Sequence, residues 1–432
     1  MKSVSSWGRL TASPHHTSAL HDRLQAPQQI RLGTPGLAHG AGRSYGDVAL
    51  NTGGQLWMTT GLDKLIGFDS EEGVLECEAG VLLKDIQDTF IPRGWMLAVT
   101  PGTQWVTVGG AIANDVHGKN HHRQGSFGDH VLSMTLARTD GQCMQLQPQD
   151  PLFAATVGGL GLTGVIVSAR IRLQKVSSPW LLTHSRPFHG IDEFFAISRQ
   201  AEEAWEYNVA WIDCLARGQP RGIFMCANHA VAPQARAAYT ARSGLGFALT
   251  SPFSLVNTVS LKLFNALYFQ LNARKAGERL QNYQPFFYPL DGVHQWNRMY
   301  GPRGFYQYQC VLPPETAHEG LKALLDEIAR NKDGSFLAVL KTFGERRSIG
   351  MLGFARPGVT LALDFPNRGS RTLALLDRLD AVVQACGGTL YLAKDARMPR
   401  AFFEQAYPGH REFSAFRDPG ISSDMSRRLL GN

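Results

Sequence analysis

The sequence predicts an α+β fold in two domains, and three observations carry that expectation. The chain has 432 residues, more than one hydrophobic core usually supports, so two cores are expected. Its second half carries strand–helix–strand units, the pattern of a sheet with helices on one face. The texture also changes after Val176, where glycine clusters give way to longer aromatic-rich segments. The boundary is therefore drawn with residues 1–175 as the first domain and 176–394 as the second, residues 395–432 packing back onto the first.

In chain order, Leu56 and Met58 and then Val74 to Ala79 alternate in and out, reading as short strands between Gln55 and Gly80. Leu82 to Phe90 places apolar residues at helical spacing, and Pro92 and Gly94 stop that helix. Val131 to Leu146 alternates again around Asp140-Gly141, a hairpin turn. Val165 to Leu173 is a strand that closes the first domain. Beyond it, Phe305–Leu312 and Thr360–Phe365 read as strands and Pro314–Asn331 and Ser370–Cys386 as helices.

Composition excludes several classes. With 44% hydrophobic and 18% charged residues the chain is an ordinary globular protein. The net charge of +7 favours an anionic partner (nucleotide, phosphorylated substrate or acidic membrane surface) or serves solubility. Basic residues are scattered, so nucleic acid is not expected. Six cysteines without a C-x-x-C pair read as reduced thiols. No signal-peptide pattern opens the chain, which points to the cytoplasm. The most apolar stretch, Phe247 to Leu271, is broken by Pro252, Asn257, Lys262 and Asn265, too often for a membrane span.

Three glycine-rich segments carry the chemistry. His39 to Asp47 reads H-G-A-G-R-S-Y-G-D, small residues whose amides can converge on a diphosphate. Its G-x-G-x-x-x-G spacing, with no helical pattern following, is not a nicotinamide fingerprint. Thr107 to Asn120 reads T-V-G-G-A-I-A-N-D-V-H-G-K-N, and a helix opening at Val108-Gly109 would aim amides at phosphate. His117, Lys119, His121 and His122 form a polar cluster without carboxylate or cysteine companions, so no metal site is expected. Ala155 to Val165 is a third segment of close backbone approach leading into a strand.

Together these segments resemble the FAD-binding domain of the vanillyl-alcohol oxidase and p-cresol methylhydroxylase (PCMH) flavoprotein superfamily. Gly40–Asp47, Val108–Ile112, Asp115–His122 and Gly125–Gly128 look like the decaprenylphosphoryl-ribose 2-oxidase branch. The likeness continues through Trp296–Pro302, Phe305–Gln309, Asp364–Pro366, Tyr391–Asp395 and Ser423–Met425, and is weakest over 215–275. It implies a PCMH-type FAD domain, a substrate domain on an antiparallel sheet, and FAD held without a covalent bond, since Arg43-Ser44-Tyr45 stands where many relatives carry the linking histidine. The cofactor residues it implies are Ala38, His39, Gly40, Ala41, Gly42, Arg43, Ser44, Tyr45, Gly46, Asp47 and Val48; Gly102, Thr107, Val108, Gly109 and Gly110; Asn114, Asp115, Val116 and His117; Gly164 and Val165; and Tyr391.

The resemblance also implies oxidation of a secondary alcohol on a sugar, carried on a polyprenyl phosphate, with a short-chain reductase completing an epimerisation and with peripheral contact at the inner membrane surface. A free sugar, an aldonolactone or another alcohol is the alternative substrate. Hydride loss from carbon requires a base or cationic polariser beside the flavin. Lys394 is the first choice, with Lys341, His117 and Tyr45 beside it; a lysine is a base only where its surroundings lower its pKa, and otherwise it orients and polarises. Lys119, Trp211, Gln307, Gln309, Thr360 and Ala362 match substrate-side positions. Ala362 stands where that branch has a cysteine and Thr360 where it has an asparagine, so the sugar is left open.

Overall fold

Three sheets organise the computed structural model, which describes residues 1–31, 35–216, 218–231 and 246–431. The first has the strand order Lys2–Ser5, Ala12–Ala19, Gln55–Met58, Gly36–His39, and its last three strands are parallel. Parallel neighbours are covered on both faces; accordingly Leu37, Leu56 and Trp57 are all buried. The second sheet is antiparallel, in the order Leu65–Asp69, Val74–Glu78, Val165–Lys175, Val131–Ala137, Cys143–Leu146, with Trp95–Leu97 pairing the end of Val165–Lys175. The helix Leu83–Phe90 covers it with Leu83, Ile86 and Phe90 inward, and Gly94 at φ 82° ends the turn that follows.

The third sheet has eight antiparallel strands: Gly277–Asn282, Trp180–His189, Arg221–His229, Tyr207–Ile212, Val339–Phe343, Gly358–Pro366, Phe305–Leu312 and Thr389–Leu390. Side chains alternate between its faces. Ala210, Ile212, Tyr308, Cys310, Leu361 and Leu363 point into a core closed by the helices Ile191–Ala204, Ala317–Asn331 and Ser370–Ala385. The second of these begins three residues later than its sequence pattern, because Pro313 to Thr316 form a turn closed by a Thr316 N–H to Pro313 C=O bond of 3.1 Å.

One expectation fails. Helices do not keep to one face, since Thr258–Arg274 packs on the other. Trp211, Ile223 and Phe269 share a buried cluster there, and the Tyr268 ring lies 4.6 Å from that of Trp211. Both faces of those strands carry apolar side chains, so each needs a cover. The Asn257 side chain starts this helix by accepting from Val259 and Ser260 N–H at 3.0 and 3.1 Å.

The C-terminal segment lies against the N-terminal half. Ile421 bridges to Gly36, Arg138 donates to the Phe416 and Arg417 carbonyls at 3.1 Å each, and Asp424 accepts from Thr52 N–H at 2.8 Å.

Candidate active site

A cavity of about 830 Å³ separates the glycine segments from the open face of the eight-stranded sheet, a volume that suits a dinucleotide with room for a small substrate. Its first wall is backbone. Ala38, Gly40 to Tyr45 and Val48 line it, and the N–H groups of Gly40 through Ser44 donate to no acceptor among the described residues. Gly42 sits at φ 63°, the left-handed turn that gathers successive amides into a concavity. Arg43 stacks over Trp7 at 4.4 Å and donates to Ala41 C=O, so its charge stays at the mouth of this loop.

Thr100 to Thr103, Gly109, Gly110 and Asn114 continue the wall, and Leu160, Gly161 and Gly164 complete it. The helix Val108–Ala113 is present, yet its leading amides are not free for phosphate. Val108 N–H bonds Val81 C=O (2.9 Å), Gly109 N–H bonds Ala79 C=O (2.7 Å), and Gly110 N–H bonds the Thr107 hydroxyl (3.1 Å). The anion-directed amides are those of the first loop instead.

The second wall is made of side chains. Cross-strand partners Gln307↔Asp364, Gln309↔Ala362 and Lys341↔Thr360 put these residues on one face, with Val209 and Trp211 on the strand next to that of Lys341. Gln309 donates to Thr360 Oγ1 at 3.0 Å and lies 3.0 Å from His117 Nε2; Gln307 donates to Asp364 at 2.8 Å. Trp211 is fixed by donation to Phe336 C=O at 2.9 Å. Tyr391 donates to Asn114 C=O at 2.8 Å and stacks on Phe354, tying the two walls together.

Three lysines converge here without an ion pair among the described residues, and the surface they keep faces the cavity rather than bulk water. Burial pushes Lys119 down to about 7 and lowers Lys394 from 10.5. Lys341 is also held well below the usual lysine range, through burial and then the neighbouring charges of Lys394 and Lys119. Lys119 donates to the carbonyls of Phe286 and Phe287, and Lys394 lies 5.4 Å from the Tyr45 ring centre. Lys341 Nζ donates to Gly118 C=O at 2.9 Å and sits 3.1 Å from His117 Nδ1. Burial and both nearby lysines hold His117 neutral. Burial also raises the Tyr45 phenol and the Asp364 carboxyl.

Six residues implied as cofactor contacts lie off the cavity wall: His39, Gly46, Asp47, Val108, Asp115 and Val165. They shape it from behind. His39 Nδ1 is 2.9 Å from Ala49 C=O, and Asp115 accepts from Ser126 Oγ and Gly128 N–H at 2.8 Å each. Asp47 pairs with Arg428 at 2.8 Å, and a Cβ on Gly46 would stand 1.7 Å from the Asp395 carbonyl oxygen. Val108 and Val165 are core. Conversely, Phe264, Tyr268 and Asn272 of the helix Thr258–Arg274 line the cavity unforeseen, and Asp364 stands behind Lys394. Asp364 could have been found from its period-two spacing with Thr360 and Ala362.

Free amides, close-packed glycines and the cavity volume fit FAD, with the first loop, Gly102, Gly110 and Asn114 placed to hold it. A family model for an FAD binding domain matches residues 10–147. A decaprenylphosphoryl-beta-D-ribose oxidase of Mycolicibacterium smegmatis is 36% identical over 91% of this chain and 88% of its own. An uncharacterised protein of Streptomyces coelicolor is 35% identical over 81% of this chain and all of its own. The L-gulonolactone oxidase of Mus musculus is 31% identical over about a third of each chain, 34% and 33%. Fold and site thus define an FAD-dependent oxidoreductase acting on CH–OH groups, built on a PCMH-type flavin domain and an antiparallel substrate sheet. Within that class, the chain belongs to the decaprenylphosphoryl-β-D-ribose oxidase family.

Proposed function

We propose that this enzyme oxidises a secondary hydroxyl of a pentose carried on a polyprenyl phosphate to a ketone, using FAD that is tightly held but not covalently bound. The observation that carries the reading is the convergence of Lys119, Lys341 and Lys394, buried and without carboxylate partners in ion-pair reach, on the cavity that the glycine loops enclose. Buried amines with one carboxyl, Asp364, beside Lys394 hold their protons poorly until an anion joins them, and so call for an anionic ligand. A sugar phosphate supplies one.

When bound, FAD supplies a hydride acceptor at N5. Lys394, deprotonated more readily because it is buried, takes the hydroxyl proton. Lys119 and Lys341 meet the phosphate and sugar oxygens, Gln307 and Gln309 offer unpartnered amide oxygens that accept from hydroxyls, and Trp211 offers an aromatic wall to the ring. His117, neutral, orients Lys341 and Gln309, while Tyr45 closes the site beside Lys394. Thr360 leaves more room than an amide side chain and Ala362 more than a thiol, both on the sugar side.

No helix among the described residues is long and apolar enough to cross a membrane. The same reading places the enzyme in the cytoplasm, peripheral at the inner membrane surface where a lipid-carried sugar resides, and passes the keto-sugar to a short-chain reductase that completes an epimerisation. Anaerobic mixing with polyprenyl-phosphate pentoses tests the substrate directly: bleaching of the flavin is expected, and bleaching by free sugars or aldonolactones alone refutes it. Acid precipitation should release all the FAD into the supernatant.

A further inference from the structure

Eight of the 15 exposed large apolar side chains among the described residues fall within the short span Leu249–Leu271. On the helix Thr258–Arg274 they form a row: Val259 (77% exposed), Leu263 (62%), Leu267 (50%) and Leu271 (53%), spaced four apart. Phe253 and Leu249, 67% and 83% exposed, extend the patch from the preceding segment. The adjacent row, Phe264, Tyr268 and Asn272, lines the cavity, and a third, Leu261, Asn265 and Phe269, is buried. One helix therefore has a solvent row, a cavity row and a core row.

Charge says what covers the solvent row. From Phe247 to Gly277, the stretch that carries the patch, the sequence contains no aspartate or glutamate and three arginines and lysines. Lys262, Arg274 and Lys275 are exposed on or just beyond the helix. Two copies of this face would bring like charges together, whereas an acidic lipid surface complements them. With Leu261 and Phe269 packed into buried clusters, this 17-residue helix can meet a bilayer only side-on, along its exposed row.

We propose that Thr258–Arg274 is a membrane-docking helix that lies flat on an acidic bilayer, its leucine row in the acyl boundary and its cavity row walling the active site. In that pose a lipid carrier stays in the bilayer while its sugar enters beside Phe264 and Tyr268; this link to catalysis rests on the polyprenyl-phosphate reading, while the docking itself rests on exposure and charge. Flotation of the FAD-loaded protein with vesicles tests it. Binding is expected to phosphatidylcholine vesicles containing phosphatidylglycerol, weakly to phosphatidylcholine alone, and to fall with salt. The exposed double variant Leu263→Gln/Leu267→Gln should lose roughly tenfold or more of that partition while keeping its flavin spectrum and melting temperature. Unaltered vesicle binding in this variant, or none by the native protein at low salt, overturns the proposal. So does a native dimer, seen by sedimentation, that the same variant dissolves. If vesicle binding behaves as expected but no polyprenyl-phosphate sugar bleaches the flavin, docking stands and the substrate reading falls.

Discussion

The two walls of the cavity reach their chemistry by different means. The loop wall works with backbone: Gly40 to Ser44 present unsatisfied amides, and side chains would obstruct them. The sheet wall works with side chains, each fixed by its place in a strand register, as Gln307 faces Asp364 and Lys341 faces Thr360. A backbone site tolerates little added volume anywhere along it, whereas a register site tolerates change at every position except the few that carry charge. Holding cofactor and choosing substrate are thus separable.

Five experiments would break or sharpen that contrast. The largest effect is expected for Lys394→Ala, which should bind FAD and remain yellow yet reduce its flavin about 10²- to 10⁴-fold more slowly with substrate; normal anaerobic reduction removes Lys394 from its role. Gly46→Val should do the reverse. Its Cβ would meet the Asp395 carbonyl oxygen at 1.7 Å, so the variant is expected to lose about 3 kcal/mol or more of stability and to purify largely without flavin. Full flavin content there would show that the loop wall gives more readily than its packing implies.

The third experiment follows the charge on the sheet wall. If neutral Lys394 is the base, kcat/KM rises with pH along a limb centred below the ordinary 10.5; a cationic polariser would make it fall instead. Asp364 favours the charged lysine, so Asp364→Asn should move that limb to lower pH without moving FAD affinity. Lys119, pushed to about 7, should take up a proton when an anionic substrate binds, seen by calorimetry in buffers of different ionisation enthalpy; uptake unchanged in Lys119→Met assigns the proton elsewhere. Smallest is Thr107→Ala, which leaves Gly110 N–H without its acceptor and should cost about 1 kcal/mol in thermal unfolding.

The same contrast decides what could be read from the sequence. Glycine clusters advertise a backbone site, and strand and helix periods placed Leu83–Phe90, Val165–Lys175 and Phe305–Leu312 within a residue or two. What a glycine amide bonds to is tertiary, so the occupied amides of Val108, Gly109 and Gly110 were invisible. The sheet wall draws its residues from four strands far apart in sequence, and only resemblance gathered Lys341, Gln307, Thr360 and Lys394. Thr258–Arg274 gave no periodic signal because its solvent row is as apolar as its core row. His39 ends the strand before the first loop and Asp47 and Asp115 belong to loops, yet all three turn away from the cavity, a choice of side that spacing cannot reveal.

Arg428 reaches both Asp47, next to the first glycine loop, and Asp395, next to Lys394, at 2.8 and 3.0 Å. A guanidinium from the helix Asp424–Leu429 therefore rivets the cofactor loop to the turn that carries Lys394, and so fixes their spacing. Trimming the final turns of the protein would release that rivet, so a shortened enzyme should still take up colour while its lysine drifts out of alignment.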